Sequence, residues 1–412
     1  MVWRGHPGSG DDTAMEAPTR LLSARFVLVV VAGLAYFMAL GVVLPVVPQY
    51  VKHQLGGGSV AVGVAVGSLF VGAVLLRPYA GRLGDRFGRR VLIVSGALVV
   101  AVSVLLYGAV HELWFLIAAR VLTGLGEAAF FVGAAAMVAD LAPLARRGEA
   151  FSYWSVAVYG GLAFGPALGE AVLDAGGTDT VWLVSAGLGV LAAVLGTFTR
   201  EVPRPEGAPV DARIINRAAI GPGTVLFSGL IGLAAFSAFV PLYVHDVGLG
   251  SADTVFLLYG GLVLVVRVVG ARLPDRLGGR TAGAIALTFS TIGMTIMAAW
   301  GTTTGLLLGT VAFAAGASLL YPALLLLALG GAPDTERASV VGTFSGFFDL
   351  SQGLGSLIVG GVASFAGYRG AFAAGAVSAA VGVVALRARA MQRARAVALG
   401  DAGALAAEHP GP

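Results

Sequence analysis

The amino-acid sequence predicts an all-α membrane protein, with twelve transmembrane helices arranged in two pseudo-symmetric six-helix bundles. Three observations lead to this fold class: an apolar composition, twelve separate apolar runs and a loop motif that occurs twice. Of the 412 residues, 57% are hydrophobic and only 12% are charged. That charged share is about half of what a soluble domain carries, and the apolar share excludes a disordered chain. We therefore expect the surface to face lipid.

The composition also excludes several classes of site. The chain has no cysteine, so disulfides, thiolate metal sites and cysteine nucleophiles are impossible. Lys52 is the only lysine and follows a valine, so there is no phosphate-binding P-loop. The H-E-x-x-H and G-x-S-x-G patterns are also absent from the sequence. We therefore expect no enzyme, no cofactor and no metal.

Twelve apolar runs have lengths near the ~20 residues that a helix needs to cross a bilayer. The runs are continuous rather than alternating, which favours helices over a barrel. The first run is too long for the core of a cleavable signal, so we expect a retained helix. We call the runs spans 1 to 12; they cover residues 26–48, 59–79, 91–110, 113–138, 151–172, 181–199, 223–244, 253–271, 281–300, 305–330, 339–365 and 369–387.

The arginines predict the orientation of the spans. They cluster before span 1, after span 12 and in the loops that follow the even-numbered spans, whereas the other loops hold only Lys52 and Arg369. By the positive-inside rule both termini are cytoplasmic. The abundance of arginine, alanine and glycine indicates a bacterial protein of the cytoplasmic (inner) membrane. A nucleic-acid-binding patch is disfavoured, because the arginines occur in short runs between spans.

The sequence repeats itself at an offset of 190 residues. At this offset Arg77 and Arg86 fall on Arg267 and Arg276, in a shared Arg-Leu-x-Asp-Arg-x-Gly loop. Parallel halves of this kind are typical of transporters, with a substrate site between the halves near the midplane. The predicted segments are a cytoplasmic tail (1–25), an N-terminal bundle (26–199), a cytoplasmic linker (200–222), a C-terminal bundle (223–387) and a cytoplasmic tail (388–412).

The loop between spans 2 and 3 resembles the signature of the major facilitator superfamily. The resemblance covers residues 26–387 and implies the major facilitator fold and a secondary transporter. It also implies that the acidic and basic residues of this loop form a gate that closes the cytoplasmic side. Alternatively, the arginines only set the topology. The gating residues would be Gly81, Asp85, Arg86, Gly88 and Arg90, with Asp275 and Arg276 in the weaker second copy.

Span 4 carries two ionisable residues, Arg120 and Glu127, spaced seven residues apart on one helix face. At about 1.5 Å per residue, Glu127 lies roughly 20 Å from the outer end, near the middle of the membrane. An ionisable residue at this depth is expected to face a cavity or a partner. We predict that both residues handle protons or substrate. The alternative is a fixed ion pair between helices.

Span 11 places Asp349 and Gln352 at a similar depth in the other half. Glu127 and Asp349 are therefore expected to line one central cavity from opposite halves. A local hydrogen bond is the alternative, because Ser345 lies four residues from Asp349. Gln352 is the only amide side chain within a predicted span, which disfavours a carbohydrate site.

Span 5 contains a string of small residues that resembles the signature of drug/proton antiporters within the superfamily. Small residues at this spacing let another helix approach closely, and the proline predicts a bend. Glu170 follows the string and is expected near the outer mouth, where we predict a role in proton or substrate handling. Ordinary helix packing is the alternative for the string, whose members are Gly161, Gly165, Pro166 and Gly169.

Together these patterns favour a drug/proton antiporter-like exporter of an amphiphilic small molecule, such as a drug, an antibiotic or a toxic metabolite. Its expected partners are the small-molecule substrate, protons and the lipid bilayer, without nucleic acid, and we expect a monomer. The alternative on the same fold is a proton-coupled importer or facilitator of a sugar or other metabolite. An intramembrane enzyme is disfavoured, because no nucleophile or metal set is recognisable.

Overall fold

The computed structural model describes residues 22–109, 111–143, 146–199, 215–270, 273–333 and 336–408, without the side chains of 85, 147–148, 275, 337–338 and 389–408. Across these ranges the secondary structure is helical and contains no strand, which confirms the predicted fold class. The helices are α1 (Ala24–Val43), α2 (Val46–His53), α3 (Ser59–Phe87), α4 (Arg89–Gly108), α5 (Leu113–Leu141), α6 (Arg147–Thr197), α7 (Arg217–Asp246), α8 (Asp253–Val269), α9 (Leu273–Leu277), α10 (Gly279–Ala299), α11 (Thr303–Leu329) and α12 (Arg337–Glu408).

The described helices account for all twelve predicted spans. Nine are long and apolar enough to cross a membrane. Two of these nine, within α6 and α12, each bend once at a glycine and so supply two spans each, 5 and 6, and 11 and 12. With 17 residues, α8 is at the short end of the range for span 8. Helices α1 and α2 together form span 1, and α9 lies in the loop after span 8.

The same backbone devices recur in both halves. Gly177 (φ 73°) turns the chain between spans 5 and 6, and Gly367 (φ 68°) does so between spans 11 and 12, at the 190-residue offset. Gly88 (φ 96°) separates span 2 from span 3. Its counterpart Gly278 (φ 76°) separates the loop helix α9 from span 9. A positive φ favours glycine, because glycine has no Cβ to clash with the backbone. The halves are therefore pseudo-symmetric in structure as well as in sequence.

Some predicted boundaries differ from the ends of the helices in the structure. Span 7 begins at Arg217 rather than at 223, because the Asn216 side chain accepts a hydrogen bond from the Ala218 amide and caps the helix there. The apolar part of span 12 ends at Ala388, one residue from the predicted 387, and the helix α12 continues beyond it to Glu408. The stretches 1–21 and 200–214, which hold most of the predicted N-terminal tail and linker, lie outside the described residues.

The two halves are closely packed along one part of their interface. A Cβ atom added at Gly63 of span 2 would lie 2.3 Å from the Ser356 carbonyl oxygen of span 11. One added at Gly260 of span 8 would lie 2.3 Å from the Ala163 Cβ of span 5. We call the membrane face that carries the arginine-rich loop after span 2 the basic face. The other membrane face, which is nearest the contacts of Gly63 and Gly260, is called the opposite face.

Toward the basic face the same helices separate. A Cβ added at Gly81 of span 2, or at Gly342 or Gly346 of span 11, would find no atom within 4 Å. Between these positions and Gly63, a Cβ added at Gly67 of span 2 would still lie 2.6 Å from the Gly353 carbonyl oxygen of span 11. The interface is thus closed at the opposite face and open at the basic face.

Candidate functional site

Arg77 of span 2 bridges two carboxylates where the closed part of the interface gives way to the open part. Its Nη2 atom lies 3.0 Å from Oε2 of Glu127 in span 4. Its Nε atom lies 2.6 Å from Oδ2 of Asp349 in span 11, and Nη2 donates to Asp349 Oδ1 at 3.1 Å. Arg77 and Glu127 belong to the N-terminal half and Asp349 to the C-terminal half. One guanidinium therefore joins the two halves.

The three side chains of this bridge are unequally buried. Asp349 is 2% exposed, whereas Arg77 and Glu127 are 13% and 12% exposed. A charged carboxylate as buried as Asp349 requires a charged or hydrogen-bonded partner, because the protein interior solvates it poorly. Arg77 is that partner. The Arg77 and Glu127 side chains are partly exposed, so solvent reaches the bridge through them.

Backbone contact between spans 2 and 4 places Arg77 beside Glu127. A Cβ added at Gly124 would lie 1.7 Å from the Leu69 carbonyl oxygen, and one added at Gly72 would lie 2.0 Å from the Val121 carbonyl oxygen. No side chain fits at either position, so the two helix backbones touch one turn from the ion pair. Glycine at both positions is what brings a long arginine side chain to a carboxylate on the neighbouring helix.

Aromatic side chains surround the bridge. The Arg77 Cζ atom lies 5.1 Å from the ring centroid of Phe131, within cation–π range. The Tyr321 ring lies 6.3 Å from that of Phe348, and the Tyr321 hydroxyl forms a 2.9 Å hydrogen bond with the Ser345 hydroxyl. These half-buried rings give the site an apolar wall with few polar groups.

A second arginine occupies the equivalent place in the other half. Arg267 of span 8 is the counterpart of Arg77 at the 190-residue offset. Its Cζ atom lies 3.4 Å from the ring centroid of Tyr159 in span 5, so this arginine also reaches across the interface. Tyr159 is itself the counterpart of Asp349. At equivalent positions, Arg267 thus contacts an aromatic ring of the other half, whereas Arg77 contacts two carboxylates.

Arg120 is not the partner of Glu127. It is buried, and it donates to the carbonyl oxygens of Ala65 (3.0 Å) and Val66 (3.2 Å) on span 2. Seven residues of helix separate Arg120 from Glu127 by about 10 Å along the axis, which is too far for an ion pair. Its role in proton or substrate handling stays a prediction.

Gln352 and Glu170 are both buried and both outside the Arg77 bridge. Gln352 Nε2 donates to the Leu230 carbonyl oxygen at 3.2 Å, within the C-terminal half. Glu170, 3% exposed, accepts a 2.9 Å hydrogen bond from Gln49 Nε2 at the opposite-face end of span 1. Glu170 thus lies toward the opposite face, as predicted, but its side chain is buried there and does not line an open cavity.

The small-residue string of span 5 packs against span 1. A Cβ added at Gly165 would lie 2.7 Å from the Gly41 Cα, and one added at Gly169 would lie 2.1 Å from the Val42 carbonyl oxygen. A Cβ added at Gly161 would lie 2.6 Å from the Met38 amide nitrogen of the same helix. Pro166 lies inside α6. The string therefore packs span 5 against span 1 within one half, which agrees with ordinary helix packing.

The loop signature is only partly described. The side chains of Asp85 and Asp275 lie outside the described residues, and those of Arg86, Arg90 and Arg276 are exposed. Arg89 of the same loop forms an ion pair with Asp140 at the end of span 4, which the sequence interpretation missed. The gating role of this loop therefore stays a prediction.

Arg77 is the most important residue that sequence reasoning missed. The repeat alignment contains Arg77, but its spacing to any acidic residue on its own helix gives no sign of an ion pair. The signal was the arginine pair itself, Arg77 and Arg267, since an ionisable residue within a span is costly unless it has a partner. Tyr159 was also missed, because its contact with Arg267 joins two helices that are far apart in the sequence.

The family follows from comparison with known proteins. A family model described as Major Facilitator Superfamily matches residues 29–329. The chain belongs to this superfamily. It is therefore a multi-pass membrane protein with a transporter fold, as the loop signature implied.

Relatives within the superfamily cover most of the chain. The uncharacterized MFS-type transporter STM4428 of Salmonella typhimurium is 30% identical over 84% of this chain and 91% of its own length. Among solved structures, the nucleoside transporter NupG (D323A mutant) gives a TM-score of 0.73 at 12% identity, over 88% of this chain and 99% of that one. A bacterial homologue of the human lysosomal transporter Spinster, inward-facing and occupied, gives 0.70 at 17% identity, over 88% and 93%. At these identities the structures show the fold alone.

Proposed function

We propose that this superfamily member is a secondary active transporter that exports an amphiphilic small molecule in exchange for protons, by alternating access. The observation that carries the proposal is the bridge from Arg77 to Glu127 and Asp349. It joins the two halves at the depth where the interface changes from closed to open. A bond at that place controls whether the opposite face can open.

Exchange requires that an empty, unprotonated carrier does not change its orientation. Opening the opposite face pulls span 11 away from span 2 and separates Asp349 from Arg77. With Asp349 ionised and buried, separation leaves an unpaired charge, which costs about 3–5 kcal/mol. The bridge therefore holds the unprotonated, empty carrier in the conformation seen here.

Protonation removes that restraint. A neutral Asp349 loses little when Arg77 moves away, and Arg77 keeps Glu127, which is on its own half. Glu127 is the partly exposed member of the bridge, so in the conformation seen here a proton leaves through it to the basic face, and the Arg77–Asp349 pair re-forms. Substrate that binds from the basic face then releases this pair in the outward step. The return step uses a proton taken up when the opposite face is open, so substrate leaves as protons enter.

The substrate class and the direction rest on separate features. The half-buried aromatic wall and the scarcity of amide side chains favour an amphiphilic molecule over a carbohydrate. The positive-inside rule places the basic face in the cytoplasm, so the open side collects substrate from inside the cell. The resemblance of span 5 to the antiporter signature also favours export.

The test is substrate-driven proton movement in everted membrane vesicles. Toxic amphiphiles are first chosen as those to which the gene gives resistance in cells depleted of other exporters. Each is then added to energised vesicles loaded with a fluorescent pH indicator. We expect a substrate-dependent loss of the proton gradient with the wild-type protein. It should be absent in Asp349→Asn and at least tenfold smaller in Glu127→Gln.

The matched control is Glu149→Gln, which removes an exposed carboxylate in an ion pair with Arg146 outside the bridge. It should behave like the wild type. Resistance without proton movement, or proton movement that is unchanged in Asp349→Asn, would overturn the exchange mechanism. Uptake of these compounds against a gradient would overturn the direction and favour import.

A further inference from the structure

Arg267 is a cation at membrane depth without an anionic partner among the described side chains. Its guanidinium lies on the face of the Tyr159 ring, with Cζ 3.4 Å from the centroid. Its Nε atom is buried and makes no hydrogen bond. No ion pair joins Arg267 to a carboxylate of the described residues. Its environment is therefore incomplete.

Two other arginines within the described spans have oxygen partners. Arg77 has two carboxylates, and Arg120 has two backbone carbonyl oxygens. The contrast follows from the repeat: at the 190-residue offset the counterparts of Glu127 and Asp349 are Ala317 and Tyr159. The second copy of the site therefore has the cation but neither anion, since Ala317 of the C-terminal half and Tyr159 of the N-terminal half stand in their places.

The stacked geometry leaves the guanidinium ready to bind. A ring on the guanidinium face does not occupy its N–H groups, which point outward in the guanidinium plane. Those donors form a planar fork that matches two oxygens of a carboxylate, sulfonate or phosphate. Stacking also fixes the plane of the fork, so less side-chain freedom is lost when an anion binds.

The position is accessible from the open side. Arg267 and Tyr159 come from opposite halves, at the interface that opens toward the basic face, and both are only partly buried. The half-buried rings beside the Arg77 bridge offer an apolar surface in the same interface. An amphiphilic molecule with an acidic head group suits this combination of one cation and aromatic walls.

We propose that Arg267 and Tyr159 form the subsite that binds an anionic group of the transported molecule. The substrate class is then an amphiphilic organic anion or zwitterion that carries a carboxylate, sulfonate or phosphate. This inference rests on the proposed function and narrows it. A purely structural stacking contact between the halves would not discriminate among ligand charges, and this difference defines the test.

The test measures ligand-induced thermal stabilisation of the purified full-length protein in lipid nanodiscs. The probes share one apolar body and differ in charge: 2-naphthoate, naphthalene-2-sulfonate, 2-naphthamide and 2-naphthylmethylammonium. We expect the two anions to raise the unfolding temperature of the wild type, and the amide and the ammonium not to do so at the same concentration. In Arg267→Gln the anions should bind at least tenfold more weakly.

Three further variants separate binding from folding. Arg387→Gln removes an exposed arginine at the end of span 12 and should respond like the wild type. Arg267→Lys keeps the charge but not the fork, and should bind the anions with intermediate strength. Tyr159→Phe keeps the ring and should keep anion binding. If Arg267→Gln fails to fold, Arg267→Lys still shows whether the fork decides the affinity.

The inference is overturned if the wild type shows no selectivity for the anionic probes, or if Arg267→Gln and Arg267→Lys bind them as strongly as the wild type does. The failure of the proposed function has a different signature, because this assay needs no gradient and no transport. Anion binding without substrate-driven proton movement would contradict the exchange mechanism alone. Proton exchange with cationic substrates that Arg267→Gln leaves intact would contradict the anion subsite alone.

Discussion

Tyr159 and Asp349 occupy equivalent positions in the two halves, and each contacts the arginine that the opposite half contributes. Asp349 binds Arg77 through an ion pair of 2.6 Å, and Tyr159 stacks on Arg267 at 3.4 Å. At this pair of equivalent positions one copy has a carboxylate and the other an aromatic ring. Under the proposed mechanism, protonation would release the contact made by the Asp349 carboxylate but not the one made by the Tyr159 ring.

The Arg77–Asp349 pair should show strong energetic coupling. Arg77→Gln leaves a buried, unpaired carboxylate and should lower the unfolding temperature more than Asp349→Asn does, because Arg77 retains Glu127 in the latter. The double variant should be more stable than Arg77→Gln alone, with a coupling energy of about 1–3 kcal/mol. Thermal unfolding of the four purified proteins measures this. Additive effects of the two substitutions would show that the pair is not a stabilising unit.

A bulky residue at the closed end of the interface should open it. Gly63→Val places atoms where a Cβ already meets the Ser356 carbonyl oxygen at 2.3 Å, whereas Gly342→Val enters open space. Because the chain has no cysteine, single reporter cysteines need no prior removals. Labelling of Ser356→Cys by a maleimide should rise at least fivefold in the Gly63→Val background. Equal labelling in the Gly63→Val and Gly342→Val backgrounds would contradict the closed arrangement.

The span 5 string should be a packing element whose loss destabilises the N-terminal half. Gly169→Val forces a side chain against the Val42 carbonyl oxygen, 2.1 Å from an added Cβ, and overpacking of this kind costs about 1–3 kcal/mol. Gly187→Val is the control, since an added Cβ there meets nothing within 4 Å. The unfolding temperature and the yield of folded protein should fall only for Gly169→Val. A normal stability with lost transport would instead favour a direct role in transport.

Arg120 should stabilise the protein without coupling it to protons. Arg120→Gln loses the charge-assisted bonds to the Ala65 and Val66 carbonyl oxygens, each worth about 1.5–3 kcal/mol. We expect a lower unfolding temperature together with an unchanged ratio of protons to substrate in the vesicle assay. If that ratio changes while stability is retained, the sequence interpretation of Arg120 as a proton- or substrate-handling residue is the correct one.

The fold was predictable because its determinants are local and repeated. Continuous apolar runs mark the spans, and the 190-residue offset marks the halves before any coordinates are known. The depth of Glu127 and Asp349 also follows from helix rise alone. Their convergence on one site follows from the parallel arrangement of the halves.

The partner of these carboxylates was not predictable in the same way. Spacing on span 4 suggested Arg120, but the arginine comes from span 2, 50 and 272 positions away in the chain from the two acids. Which helices touch depends on glycines such as Gly124, whose effect appears only when two backbones are placed together. Whether a polar residue such as Gln352 faces a cavity or a neighbouring carbonyl oxygen is likewise decided by packing between helices.

The most direct test of the central claim is the pH dependence of opening at the opposite face, measured without substrate. Ser356→Cys is buried on the opposite-face side of Asp349, two helical turns away. In nanodiscs its labelling rate should rise at least fivefold between pH 8 and pH 5 in the otherwise wild-type protein, because protonation releases Asp349 from Arg77. With Asp349→Asn added, labelling should be fast at both pH values, whereas Gly346→Cys on the open side should not follow this pattern. A rate that is independent of pH, or the same pH dependence in the Asp349→Asn background, would contradict the account.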